Sequence, residues 1–188
     1  MLKAKSLYHL IVYSIFFIII LISFFTFIII NNAHEELQEK ITTLKEDYTN
    51  NQKALLKNYV NYVVKFIDYY YIENRDKFDE ETIQKNLILA LDHLNISSNP
   101  NEYIFIFDIN GNLIDNSNDK QEIGKNFLNY KDSKGKNVVK ELIEASKNSD
   151  GGFVNYFWSK PSLTKETNKI SYVKSYDRWN WTIGKGVY

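Results

Sequence analysis

From Leu7 to Ile30 the sequence reads LYHLIVYSIFFIIILISFFTFIII, without one Asp, Glu, Lys or Arg. As a helix, Tyr8 to Ile30 would extend about 35 Å, enough to cross a hydrocarbon core of ~30 Å. A cleaved signal peptide is the competing reading. It needs an apolar core of about 7–15 residues and a small-residue cleavage site, and this run offers neither. An uncleaved anchor is therefore expected. Lys3 and Lys5 precede the run and NNAHEE follows it. The positive-inside rule then leaves residues 1–7 in the cytoplasm, 8–30 in the membrane, and 31–188 on the far side.

Past the span, Glu35 to about Ile72 contains no Gly or Pro. Leu37, Ile41, Leu44, Tyr48, Leu55, Tyr62 and Tyr69 follow the 3–4 and 7-residue spacings of a helical stripe. The stripe is narrow up to Tyr48, which suits a seam with a second helix. It broadens beyond Leu55, adding Tyr59, Val63, Phe66, Ile67 and Tyr70, which suits packing on a core. A homodimer through this helix is expected, with a purely intramolecular helix as the alternative. A second helix is expected over FDEETIQKNLILALDHLN. Asp79 is its N-cap, Glu80 and Glu81 lie in the first turn, and Ile83, Leu87, Ala90, Leu91 and Leu94 form its apolar face.

The rest alternates like strands. EYIFIFD (Glu102 to Asp108) and NLIDNS flank Asn110-Gly111, a hairpin signal. The same stretch fails as a calcium loop: Gly111 stands fourth from Asp108, where that loop needs Gly sixth. VVKELIEASK gives a short amphipathic helix. GGFVNYFWSKP starts a third strand, with Pro161 expected to end its pairing, and ISYVKSY and WNWTIGKGVY give two more. The expected fold is α+β: a membrane helix, a long helix, then a five-stranded antiparallel sheet with helices segregated to one side.

Composition narrows the function. With 23 basic and 23 acidic residues, the chain lacks the basic excess that nucleic-acid binding requires. It has no Cys, so no disulfide frame, thiolate metal site or cysteine nucleophile. His9 falls in the span, His34 just beyond it and His93 beside a helix face. No catalytic set, phosphate loop or metal cluster emerges, so no catalytic residue, metal or cofactor is expected.

The motif order GGF-x-x-Y-x-W-x-K-P, K-x-x-Y and W-x-W-x-I-G-x-G-V-Y, after YIFIFDINGNLI, resembles the single Cache sensor domains of bacterial chemoreceptors and sensor kinases. The resemblance covers roughly Lys40 to Tyr188. It implies a PAS-like fold, a periplasmic sensor held in the bacterial inner membrane, and signalling through flanking membrane helices. Asn116-Ser117 stands where the family often has His-Pro after the hairpin. The family continues past Gly-Val-Tyr with a second membrane helix and an output domain. This sequence stops at Tyr188, leaving a receptor segment and a stand-alone sensor as alternatives.

A pocket of Tyr103, Phe105, Asn116, Tyr156, Trp158, Lys169 and Tyr172 is expected on the sheet. Tyr156 and Trp158 share strand parity, as do Tyr103 and Phe105. Lys169 and Tyr172 have opposite parity, so both reach one pocket only if the chain bends at Lys169. A lysine among aromatics is costly to desolvate without an anion, and a small carboxylate supplies one. The resemblance narrows this partner to the acetate, propionate, pyruvate or lactate class. The alternatives are a filled aromatic core in an anchored, dimeric interaction protein, and Lys169 in a structural ion pair. Trp179, Trp181 and Tyr188 are read as core or structural rather than as ligand contacts.

Overall fold

The computed structural model describes residues 2–94, 101–160 and 166–188. The side chains of Lys3, Lys5 and Leu94 lie outside that description, as does Pro161 altogether. The chain forms two compact units, Met1–Asn50 and Asn51–Tyr188.

The expected membrane span and the helix after it are one element, α1, Leu2–Asn74. With no Gly or Pro in between, nothing interrupts the i→i−4 ladder. In the first unit its most apolar 18-residue window has a mean hydropathy of 2.8, with none of it buried. Side chains such as Phe16, Phe24 and Ile29 are exposed. That suits a helix whose solvent is hydrocarbon, where backbone groups must be satisfied within the segment.

In the second unit, α1 buries Leu56, Val60, Val63 and Ile67, positions stacked along one helix face. Helix α2 (Glu80–Leu94) buries Ile83, Leu87 and Leu91. The Asp79 carboxylate accepts the Thr82 N–H at 2.8 Å, capping α2 as expected. That bond also holds the Asp79 carboxyl below its usual range.

Five strands follow: β1 (Ile104–Asp108), β2 (Leu113–Asn116), β3 (Gly152–Ser159), β4 (Glu166–Tyr176) and β5 (Trp181–Val187). All pairings are antiparallel, in the order β2-β1-β5-β4-β3. The β1–β2 turn is organised by Asp108, whose carboxylate accepts the backbone N–H groups of Asn110 and Asn112 and the Asn112 amide. Gly111 takes φ +80° there, a conformation Gly adopts without a steric penalty. Asp108 thus closes a turn, as expected.

The helices are not confined to one side. One face of the sheet packs α1 and α2 on Ile104, Ile106, Tyr172, Tyr176, Trp181 and Ile183. The other packs α3 (Val138–Ser146) on Phe105, Phe107, Val154, Tyr156 and Val173. The reason is the period of two: β1 is apolar at both parities, β4 and β5 add Tyr172, Tyr176, Trp181 and Ile183 to one face, and Val154, Tyr156 and Val173 add to the other, so each face must be covered. Each fully buried Ile or Leu stabilises the fold by about 1.5–3 kcal/mol, so neither layer is dispensable.

Candidate functional site

On the α3 face the sheet is not filled to its edge. A cavity of about 440 Å³ lies over β1, β3 and β4, walled by Phe107, Phe127, Tyr130 and Leu142 as well as strand residues. Its floor is Lys169, only 1% exposed. The Lys169 Nζ donates to the Tyr103 hydroxyl at 2.8 Å. It lies 3.9 Å from the Tyr103 ring centre, 5.0 Å from that of Tyr188 and 5.6 Å from that of Phe105. These rings face the cation with their negative π-clouds, a partial substitute for lost water. No carboxylate is within ion-pair reach of Lys169 among the described residues. Burial without a counter-ion pushes its pKa down to about 7. The ammonium has three donors, and Tyr103 takes one.

Two glycines make room for this floor. A Cβ on Gly184 would strike the Phe105 ring, and one on Gly186 would strike the Ser171 hydroxyl and stand 2.7 Å from the Lys169 Cε. The G-x-G of β5 is thus a steric allowance for the aromatic floor and the lysine stem. Replacing Gly186 by Ala should cost about 1–3 kcal/mol through overpacking and displace Lys169. Chemical denaturation measures the loss. An unshifted midpoint would mean that Ser171 and Lys169 move aside freely.

Around the floor the polar groups are ordered. The Tyr156 hydroxyl pairs with the Ser171 hydroxyl at 2.8 Å, and the Tyr156 ring meets Trp158 edge-on with centres 5.9 Å apart. Tyr130 packs on Trp158 with ring centres 4.8 Å apart and donates its hydroxyl to Glu166 at 2.7 Å. Burial, with help from Glu166, pushes the Tyr130 phenol up to about 12. Burial likewise raises Tyr103 and Tyr156, so all three phenols remain protonated donors at neutral pH. Asn116, Asn118, Asp119 and Glu122 form a polar rim on one side, with Ser159 and Lys160 on another.

Of the residues expected from sequence, Tyr103, Phe105, Asn116, Tyr156, Trp158 and Lys169 line this cavity. Tyr172 does not. It is buried on the α1–α2 face, and its hydroxyl donates to the Asp150 carbonyl. The bend that would bring it round is missing: β4 begins at Glu166, so Lys169 sits inside a regular strand and parity holds. Trp179 and Trp181 are core, as read. Tyr188 is outside the cavity lining, as expected, and half-buried beside the lysine, its hydroxyl donating to the Ser159 carbonyl at 2.8 Å. Phe127, Tyr130, Leu113 and Leu142 were not anticipated. Phe127 and Tyr130 come from an irregular loop with no periodicity to reveal its inward side.

Comparison with known proteins bears on this arrangement. The family model described as single Cache domain 2 matches residues 48–188. The sensor histidine kinase MctS of Rhizobium johnstonii is 30% identical over 151 residues, which is 80% of this chain and 32% of MctS. The methyl-accepting chemotaxis protein McpP of Pseudomonas putida is 27% identical over 115 residues, 61% of this chain and 20% of McpP. The chain therefore spans a third or less of the length of either relative. Among solved structures, a methyl-accepting chemotaxis protein from Vibrio parahaemolyticus superposes with a TM-score of 0.66 at 26% identity, covering 76% of this chain and 92% of that one. A Cache chemosensory domain described in terms of carboxylic acid recognition superposes with a TM-score of 0.67 at 26% identity, covering 76% and 97%.

Proposed function

The chain belongs to the single Cache domain 2 family, signal-transducing sensor domains of chemoreceptors and kinases, and from that premise we propose that it senses a small organic acid at the Lys169 cavity. The observation that carries this reading is the buried ammonium with no carboxylate in reach among the described residues. An acid of the acetate, propionate, pyruvate or lactate class would supply the missing charge. It would use the Lys169 donors that Tyr103 does not take while the apolar walls hold its short carbon chain. Carboxylic acid recognition by a structural neighbour of the same fold supports the choice. The direct test is calorimetric titration of the full chain in lipid nanodiscs with C2–C4 acids, amino acids and purines. An acid at 100 times its dissociation constant should stabilise the fold by about 2.7 kcal/mol. Saturation by amino acids or purines alone would remove the acid from the reading.

In this proposal the membrane-anchored domain is periplasmic, with the N-terminus in the cytoplasm, as the Lys3/Lys5 asymmetry favours. Ligand shifts the domain between two states by its differential affinity for them, and α1, which runs on from the core into the span, carries the displacement. The partner of α1 would be a second copy. Leu55, Tyr62 and Tyr69 recur every seven residues and are 62%, 73% and 62% exposed, as a heptad seam requires. The chain has no native cysteine, so Tyr62→Cys alone should give a disulfide-linked dimer under mild oxidation. A chain that stays monomeric after oxidation in membranes would argue that this face is merely solvated.

A further inference from the structure

Behind the cavity's rim, on the opposite face of the sheet, lies a buried charge that acid binding does not use. Asp115 of β2 is 0% exposed. Its Oδ1 accepts from the Lys120 Nζ at 2.6 Å, and its Oδ2 has no hydrogen-bond partner among the described residues. The same Lys120 Nζ donates to Asp92 on α2, also at 2.6 Å. Strand register explains the placement. Asp115 pairs with Ile106 and follows it to the α1–α2 face, whereas Asn116 pairs with Phe105 and faces the cavity.

Lys120 opens a one-turn helix, Lys120–Glu122, whose preceding residue, Asp119, accepts the Gln121 N–H. The Asn116 side chain accepts the N–H groups of Asn118 and Asp119. Asn116, Asn118, Asp119 and Glu122 all line the cavity, and Lys120 does not. The rim is thus a short, largely self-bonded segment whose start is held to β1 by the Ser117 N–H and hydroxyl donating to the Ile104 carbonyl, and whose middle is tied to α2 from behind by an ammonium. That ammonium bridges a carboxylate on the rim's own strand and one on α2. Asp115, fully buried and with one oxygen unpartnered among the described residues, is costly to leave without its cation, which keeps Lys120 turned inward.

We propose that Lys120 is a positioning residue of the ligand site. It clamps rim residues 116–122 to α2 and, without touching the cavity, sets how long a bound acid is retained. Because α2 shares its core with α1, the clamp also joins the rim to the helix that runs into the span. The ligand-retention part rests on the acid-binding reading; the clamp itself does not.

Two variants of the full chain in nanodiscs test it. Asp92→Asn cuts the tie to α2 and leaves the Asp115–Lys120 pair intact. Asp115→Asn combined with Lys120→Met removes the clamp without stranding a buried charge. Hydrogen exchange of the ligand-free chain should rise about tenfold at residues 116–122 in both, while β3, β4 and α1 stay protected. Propionate, the probe, should dissociate about five- to tenfold faster. Lys120→Arg, which keeps two-carboxylate bridging, should restore both. Unchanged exchange at the rim, or an equal rise throughout the domain, would overturn the clamp. A loosened rim with unaltered propionate dissociation would overturn its role in retention. Failure of propionate to bind the unaltered chain would count against acid sensing, and the exchange pattern would still decide the clamp.

Discussion

Lys169→Met is expected to weaken acid binding by about 100- to 5,000-fold while leaving the empty domain as stable as before or more so. The two halves have one cause. Methionine keeps the length of the stem and fills the same space beside Gly186. It removes a cation that is 1% exposed and has no carboxylate partner among the described residues. Losing one partner of a buried ion pair in the complex costs about 3–5 kcal/mol, hence the loss of affinity. In the empty domain no such pair exists, and the desolvation that depresses the lysine is simply relieved. The lost Lys169–Tyr103 hydrogen bond offsets part of that, by about 1 kcal/mol. Calorimetry and thermal melting of the same preparation read both halves. Tyr172→Phe is the matched control. Its ring lies on the other face, and affinity should stay within about twofold. A methionine variant that melts far below the original would show that Lys169 is a structural cation. One that still binds acid tightly would move the anion site elsewhere in the cavity.

The second large effect is a pH dependence that runs in opposite directions for stability and for binding. Burial sets the Lys169 pKa at about 7 in the folded domain, against 10.5 for a free lysine. Between those values the unfolded chain carries a proton that the empty folded domain does not. Stability therefore rises with pH across this window, by up to about 1.4 kcal/mol per unit. Below pH 7 both states are protonated and the contribution is flat. A bound carboxylate requires the ammonium, so above pH 7 binding takes up a proton and affinity should fall about tenfold per unit. Lys185 is also depressed, chiefly by burial, with Glu102 opposing, so its stability contribution has the same sign. Subtracting the Lys169→Met profile isolates the effect of Lys169. Titrations at pH 7, 8 and 9, in buffers of different ionisation enthalpy, give affinity and proton uptake together. An affinity independent of pH over that range would mean that Lys169 is already charged in the empty domain.

Much of the site could be read from local pattern. Tyr103 with Phe105, and Tyr156 with Trp158, were paired by strand parity alone, and the sheet keeps those pairs on one face. The same rule placed Lys169 and Tyr172 on opposite faces. It was set aside only by supposing a bend at Lys169, which a strand starting at Glu166 removes. Asn116 reaches the cavity because the β1–β2 register shifts between Ile106 and Phe107, a detail that turn residues alone do not specify. The expectation that helices gather on one side failed for a related reason: the sheet as a whole is apolar on both faces, and no local pattern says which helix covers which face.

Neighbouring residues alone specify an apolar, charge-free run long enough to cross a membrane, the uninterrupted helix beyond it, the strands, and which of their side chains share a face. Each follows from a period of 3.6 or 2 or from a charge-free length, all properties of neighbouring residues. It takes the folded arrangement to leave Lys169 with no carboxylate within reach among the described residues, to bring Tyr130 and Phe127 over it from an aperiodic loop, and to let Lys120 tie the rim to α2. Those depend on dielectric, volume and distance among residues tens of positions apart. Such quantities exist only once the two faces of the sheet have been covered.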